Sequence, residues 1–203
     1  MPVQREQLGL LSDKMRVQII MAGIGGQGIL FFSKIFSNLG LRLGLNVMGS
    51  ETYGMSQRGG SVMTHLKLGD FQSPLVRTGA ADFLYSLQGD ETYRTLKFLK
   101  EGGVCFVNLP SLEKFETKVL DYLKKKKIKV LAFDASQEAL KHGSILSANI
   151  ALLGYSVGTG LIPFDHTEIK NVLESLSRGR NLETNLSVFQ AGYSQGKVMA
   201  RGK

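Results

Sequence analysis

Apolar positions change period several times along this chain, and each change marks an element. Val17 to Ala22 is an apolar run of strand length, broken only by Gln18, the pattern of a strand buried on both faces. From Gln27 to Leu43 apolar residues recur at helical spacing, with Ser33, Lys34, Ser37, Asn38 and Arg42 gathered toward one side. A second short strand near Leu45 to Gly49 completes a β-α-β opening, whose parallel pairing would take the usual right-handed crossover. Ser50 to Gly60 then breaks the alternation: a polar, glycine-punctuated loop stands where a second crossover helix is expected.

Ser61 to Leu68 alternates as a strand, with Val62, Thr64, Leu66 and Leu68 on one face and Met63, His65 and Lys67 on the other, before Gly69-Asp70 turns the chain. A hairpin there would make the sheet mixed. Strands near Asp82 to Leu87, Val104 to Asn108 and Ile128 to Phe133 are separated by helices near Glu91 to Leu99 and Leu112 to Lys126. The last quarter reads as helical, over Ser144 to Gly154, Asp165 to Leu176 and Thr184 to Lys197. Asp165-x-x-Glu168 after Pro163 resembles a capping box. No linker or repeat divides the chain, and residues 1–16 read as a flexible tail.

Composition narrows the possibilities. A chain of 203 residues is long enough for one substantial core. Its 43% apolar and 21% charged residues are ordinary for a globular protein, and glycine, at 24 residues, is the one excess. A formal net charge of +8 fits an acidic partner, a phosphorylated small molecule or a nucleic acid, and charge alone does not choose. The lone Cys105 excludes an intrachain disulfide and any cysteine-only iron–sulphur or zinc site, which need several thiolates. Met1 to Arg16 lacks the apolar core of a secretory signal, and the apolar stretch Val17 to Phe32 falls short of the ~20 residues that span a bilayer. A cytoplasmic protein without a membrane segment is expected.

Chemistry concentrates in two glycine-rich segments. Gly23-Ile24-Gly25-Gly26-Gln27-Gly28 satisfies G-x-G-x-x-G between a strand and a helix, the context that gives this short motif meaning. Glycines let the backbone turn and approach a ligand, and the first amides of the following helix favour a phosphate or carboxylate. Close strand–helix packing alone would also use such glycines. Glu51, just past the second strand, stands where a dinucleotide fold places its ribose-binding acid. The following segment, Ser50-Glu51-Thr52-Tyr53-Gly54-Met55-Ser56-Gln57-Arg58-Gly59-Gly60-Ser61, is too polar for the helix of such a fold and reads as a second binding loop facing the first.

Together, Gly23 to Gly28 and Gly49-Ser50-Glu51-Thr52-Tyr53-Gly54-Met55-Ser56-Gln57-Arg58-Gly59-Gly60-Ser61-Val62 resemble the gamma-type subunits of 2-oxoacid:ferredoxin oxidoreductases. Within them the Met-x-Gln-Arg-Gly-Gly-Ser-Val run is similar to the small (beta) subunits of the indolepyruvate branch. The resemblance continues through Ser73-Pro74-Leu75, Ala80-Ala81-Asp82, Gly102-Gly103, Val107-Asn108 and Asn149-x-x-Leu152-Leu153-Gly154, covering nearly the whole chain. Tyr53 stands where the family commonly has a histidine. It implies one gamma-type domain over 1–203: an α/β, three-layer Rossmann-like domain with a mixed, mostly parallel sheet and a helical C-terminal region.

It also implies a division of labour. Thiamine diphosphate, magnesium and the iron–sulphur clusters belong to a large partner subunit, ferredoxin is reached through the complex, and no cofactor resides in this chain. The complex oxidatively decarboxylates an aryl or other 2-oxoacid to its acyl-CoA. The expected binding residues are Gly23, Gly25, Gly26, Gln27, Gly28, Ser56, Gln57, Arg58, Gly59 and Gly60, closing the coenzyme A or substrate entrance at the subunit interface, with Arg58 the main charge. No catalytic or metal-ligating residue is assigned.

Two rival readings stand beside this one: a self-sufficient NAD(P)-dependent enzyme using Gly23 to Gly28 and Glu51, and an assembly module whose loops touch only a partner. Cys105, in an apolar strand, reads as a small buried hydrophobe. His65, His142 and His166 are scattered without metal-ligand spacing, and Lys124 to Lys127 reads as a solvated helix terminus rather than a nucleic-acid surface.

Overall fold

The structure is a computed structural model that describes residues 15–53, 59–113, 115–177 and 179–202. Among them six strands form one sheet: β1 (Val17–Ile24), β2 (Val47–Tyr53), β3 (Ser61–Leu68), β4 (Ala81–Ser86), β5 (Leu99–Asn108) and β6 (Lys129–Phe133). The helices are α1 (Ile29–Arg42), α2 (Gly89–Thr95), α3 (Thr117–Lys125), α4 (Ala135–Lys141), α5 (Ala148–Gly158), α6 (His166–Leu176) and α7 (Arg180–Arg201). The tail expected over residues 1–16 lies outside the described residues as far as residue 14.

The strand order is β2-β3-β1-β4-β5-β6. β1, β4, β5 and β6 pair in parallel, whereas β3 is antiparallel to both β1 and β2. The mixed, mostly parallel sheet is as expected, but two expectations about its edge are corrected. β2 does not pair with β1, because β3 is inserted between them. It also runs on through Glu51 and Thr52 to Tyr53, where the polar composition had suggested loop. An outer strand with exposed positions, here Glu51 and Thr52, tolerates polar side chains that a central strand would not.

Alternation along the strands builds two cores. Ile19 and Met21 of β1, Leu66 and Leu68 of β3, Tyr85 of β4 and Phe106 of β5 face α1 and α4 to α7, while Ile20, Ala22, Leu84, Cys105 and Val107 face the layer that contains α3. Three layers result. Phe32, Phe36, Tyr85, Phe106 and Phe164 make consecutive ring contacts in the larger core, with centroids 4.9 to 5.6 Å apart. Ser33, read on the polar side of α1, is buried in this core's margin. The N-cap of α6 is as expected: the Asp165 carboxylate accepts the Thr167 amide at 2.7 Å, and that bond holds its pKa below the usual carboxylate range. α4, seven residues long, was not among the helices expected from the sequence.

The C-terminal helices pack on a glycine seam. α5 is buried on all sides, between the sheet and the 22-residue α7. Gly154 and Gly158 of α5 lie against Gly192 and Gly196 of α7, so closely that a Cβ on any of the four would overlap backbone of the facing helix. No described helix is long and apolar enough to cross a membrane.

Candidate functional site

The first glycine segment leaves the C-terminal end of β1 and enters α1 through two left-handed residues, Gly26 (φ 99°) and Gly28 (φ 74°), the latter being the N-cap. α1 begins at Ile29 rather than at Gln27, whose side chain is spent on shaping the turn. Gln27 Oε1 accepts the Ile24 amide at 2.9 Å, and Gln27 Nε2 donates to the Leu87 carbonyl and to Gln88 Oε1, each at 3.3 Å. Asn108 Nδ2 shares the Leu87 carbonyl at 3.2 Å and donates to Ser136. An internal polar network therefore bridges the ends of β1 and β4, the switch point where open α/β sheets ordinarily receive ligands.

An open surface lies beside that switch point. α1 has no side-chain cap and no acidic residue in its first turn, and the Ile29, Leu30 and Phe31 amides meet no acceptor among the described residues. Gly26 and Gly28 line two clefts. One, of about 470 Å³, is walled by Phe31, Ser144, Leu146, Ser147, Asn149, Asn181, Thr184 and Asn185 and carries no charged lining residue among those described. The other, of about 310 Å³, is mainly apolar, between Ile24, Ile29, Leu30 and Val62. Ser147 Oγ donates to Asn185 Oδ1 at 3.0 Å, and Asn185 Nδ2 to Ser177 Oγ at 3.0 Å, which ties the start of α5 to α7. Leu146, 74% exposed, forms the lip.

The second segment reaches the first at one described point. The Gly25 amide donates to the Gly60 carbonyl at 2.9 Å, and Ser61, the first residue of β3, pairs in register with Ile24. Ser61 Oγ donates to the buried Glu91 carboxylate at 2.6 Å, which anchors the strand on the far side of the sheet. Gly23, Gly25, Gly26, Gln27, Gly28 and Gly60 are thus gathered, with Gly59 exposed beside them. Ser56, Gln57 and Arg58 lie outside the described residues.

Register disposes of the dinucleotide geometry. Glu51 pairs with Thr64 of β3, and Thr64 with Met21 of β1. Glu51 therefore stands roughly 10 Å across the sheet from β1, level with Met21 and three residues before the end of β1 at Ile24, not beside the glycine turn. The remaining titratable groups are elsewhere. Burial pushes the Cys105 thiol far up, as suits a hydrophobe. His65 Nδ1 accepts the Val76 amide at 3.1 Å, His142 meets Ser187 at 2.7 Å, and His166 packs on Phe189 and Tyr193. Among the described residues no group of three His, Cys, Asp or Glu could hold a metal ion.

The sequence matches the family described as pyruvate ferredoxin/flavodoxin oxidoreductase over residues 18–195. The chain belongs to that family. It is a subunit of a 2-oxoacid:ferredoxin oxidoreductase. It is 33% identical over 192 residues to the indolepyruvate oxidoreductase subunit IorB of Archaeoglobus fulgidus, covering 89% of this chain and 96% of that relative. Its fold is that of the keto/oxoacid ferredoxin oxidoreductase gamma subunit of Geobacter sulfurreducens PCA, with TM-score 0.71 and 24% identity over 90% of this chain and 99% of that one. It is also that of 2-oxoglutarate:ferredoxin oxidoreductase from Magnetococcus marinus, solved with 2-oxoglutarate, coenzyme A and succinyl-CoA bound. There the TM-score is 0.73 and the identity 21%, over 91% of this chain and 32% of that longer one.

Within this oxidoreductase subunit, sequence reading found the glycine loops and missed the opposite wall. Ser147, Asn181, Thr184 and Asn185 carry no motif, and only the fold of the C-terminal helices brings them to the loop. Asn149 had a signal in Asn149-x-x-Leu152-Leu153-Gly154, without an assigned role.

Proposed function

We propose that this chain is the non-redox, gamma-type subunit, one domain over 1–203, of a cytoplasmic complex that oxidises indolepyruvate or a related aryl 2-oxoacid. The carboxylate leaves as carbon dioxide, the acyl group passes to coenzyme A, and the electron pair passes to ferredoxin. Thiamine diphosphate, magnesium and iron–sulphur clusters would be held by a large partner subunit, where the thiamine group would supply carbanion stabilisation. One thiol in this chain cannot ligate a cluster, and the IorB relative supports the aryl substrate class. Neither nucleic acid nor membrane is a partner in this reading.

The Gly25–Gly60 bond supports the assignment of the site, since it holds Gly60, the last residue before β3, against the glycine turn that leads into the uncapped α1. Gly23, Gly25, Gly26, Gln27 and Gly28, with Ser56, Gln57, Arg58, Gly59 and Gly60, form one edge of the coenzyme A or substrate entrance, which the large subunit completes. The exposed Leu146 beside the cleft supports a surface that a partner covers. Helix amides and the Arg58 guanidinium would hold phosphate or carboxylate.

Arg58→Ala in the reconstituted complex tests this. The Michaelis constant for coenzyme A is expected to rise about tenfold or more, the loss typical of one charge-assisted hydrogen bond, with assembly intact. An unchanged constant removes the binding role. A defect in assembly alone, with normal kinetics in the complex that forms, makes the loops a docking element. Ferredoxin reduction by the chain without its partner overturns the subunit reading.

A further inference from the structure

We propose that Asn149, at the start of the buried helix α5, is the positioning residue that aims the Ile29 amide where the glycine loop enters α1. This rests on the reading that the loop borders the coenzyme A or substrate entrance. Asn149 is 2% exposed and 121 residues from the loop in sequence. Its Nδ2 donates to the Gly28 carbonyl at 3.0 Å, and its Oδ1 accepts the Ile150 amide at 2.8 Å, so neither end of the side chain can turn. The Gly28 carbonyl also accepts the Phe32 amide at 2.9 Å.

A peptide unit is planar, so the Gly28 carbonyl and the Ile29 amide point in opposite directions from one rigid plate. Two donors on the carbonyl fix the plate, and the Ile29 N–H is thereby aimed away from Asn149. That amide has no acceptor among the described residues. Gly28 lies in the left-handed region and has little stiffness of its own. A Cβ on it would lie 2.6 Å from Asn149 Nδ2, so the asparagine also occupies the space over which the plate would otherwise swing. Asn149 stands on the rigid α5–α7 pair, which holds one wall of the cleft and the loop in a single frame.

The reconstituted complex tests this with three variants. Asn149→Asp keeps the acceptor for Ile150 but sets a carboxylate against the Gly28 carbonyl, and Asn149→Ala removes both bonds. Both are expected to raise the Michaelis constant for coenzyme A about tenfold, with the 2-oxoacid constant unchanged and kcat within about twofold. Ser156→Ala, in the same helix as Asn149, removes the buried acceptor of the β4 Tyr85 hydroxyl without touching the loop, and lowers Tm while leaving both constants alone. Normal coenzyme A kinetics in the Asn149 variants, or an equal rise in Ser156→Ala, overturns the proposal. If Arg58→Ala raises the coenzyme A constant and the Asn149 variants do not, only the positioning role fails. If neither does, the reading of the site fails with it.

Discussion

Glycine is concentrated in two regions of this molecule for opposite physical reasons. In the loop, no described atom lies within 4 Å of where a Cβ on Gly26 would stand, and its positive φ belongs to a turn that leaves the Ile29, Leu30 and Phe31 amides without an acceptor among the described residues. In the α5–α7 seam the backbone is ordinary helix, and glycine is needed because a Cβ would overlap the facing helix. Open space in one region permits ligand approach, and its absence in the other fixes the frame that holds Asn149. In the proposed reading, the same residue type thus serves reception at one end of α5 and rigidity along its length.

Substitutions can break this contrast, and the largest effect belongs to the seam. Gly192→Ala places a methyl group against the Ala151 carbonyl and is expected to cost about 3 kcal/mol. For a chain of this size that lowers Tm by roughly 10 °C, measured on the purified subunit. A loss below about 1 kcal/mol would mean that the helices slide apart freely and that the seam is no frame.

An intermediate effect on stability is expected in the loop. Gly26→Ala meets no atom but forces a side chain into positive φ, costing about 1–2 kcal/mol. Its coenzyme A constant should rise in the complex more than its modest loss of Tm would suggest. Gly192→Ala, compared well below its own Tm, should show the reverse ratio. Equal ratios in the two variants would erase the distinction between reception and frame.

The smallest effect comes from β3, which delivers Gly60 to the loop. His65 is buried, and desolvation, followed by the nearby Lys67 charge, holds its pKa below the usual 6.5. Unfolding therefore raises the affinity of this imidazole for a proton. Its contribution is complete above about 6.5 and is lost as pH falls toward the lower, folded value. Denaturant melts from pH 7 to 5 should show declining stability, and His65→Gln should flatten that slope. An unaltered slope would place the proton uptake elsewhere.

How much of this was legible in the sequence depends on how far each feature reaches along the chain. The existence of strand, glycine turn and helix from Val17 to Arg42 follows from local pattern, and periodicity together with Gly26 and Gly28 sufficed to recognise them, though the helix begins at Ile29. The alternation of β3 was equally local, and it correctly separated the Val62 face from the His65 face. Gln27 illustrates the boundary. Its place in the motif was visible, yet its bonds to Leu87 and Gln88, 60 and 61 residues away, turned an expected ligand group toward the sheet.

By itself, the amino-acid sequence determined the α/β class, the two glycine segments, the incapacity of one thiol to hold a cluster, and family membership through motifs that survive in linear order. Only tertiary structure decided that β3 slips between β1 and β2, which removes Glu51 from the glycine turn. It alone placed Asn149 on Gly28 and the polar wall of α7 across the cleft. The physical reason is that period and propensity specify which face of an element is buried, not which element covers it. That choice is made by register, close approach and hydrogen bonds between residues far apart along the chain.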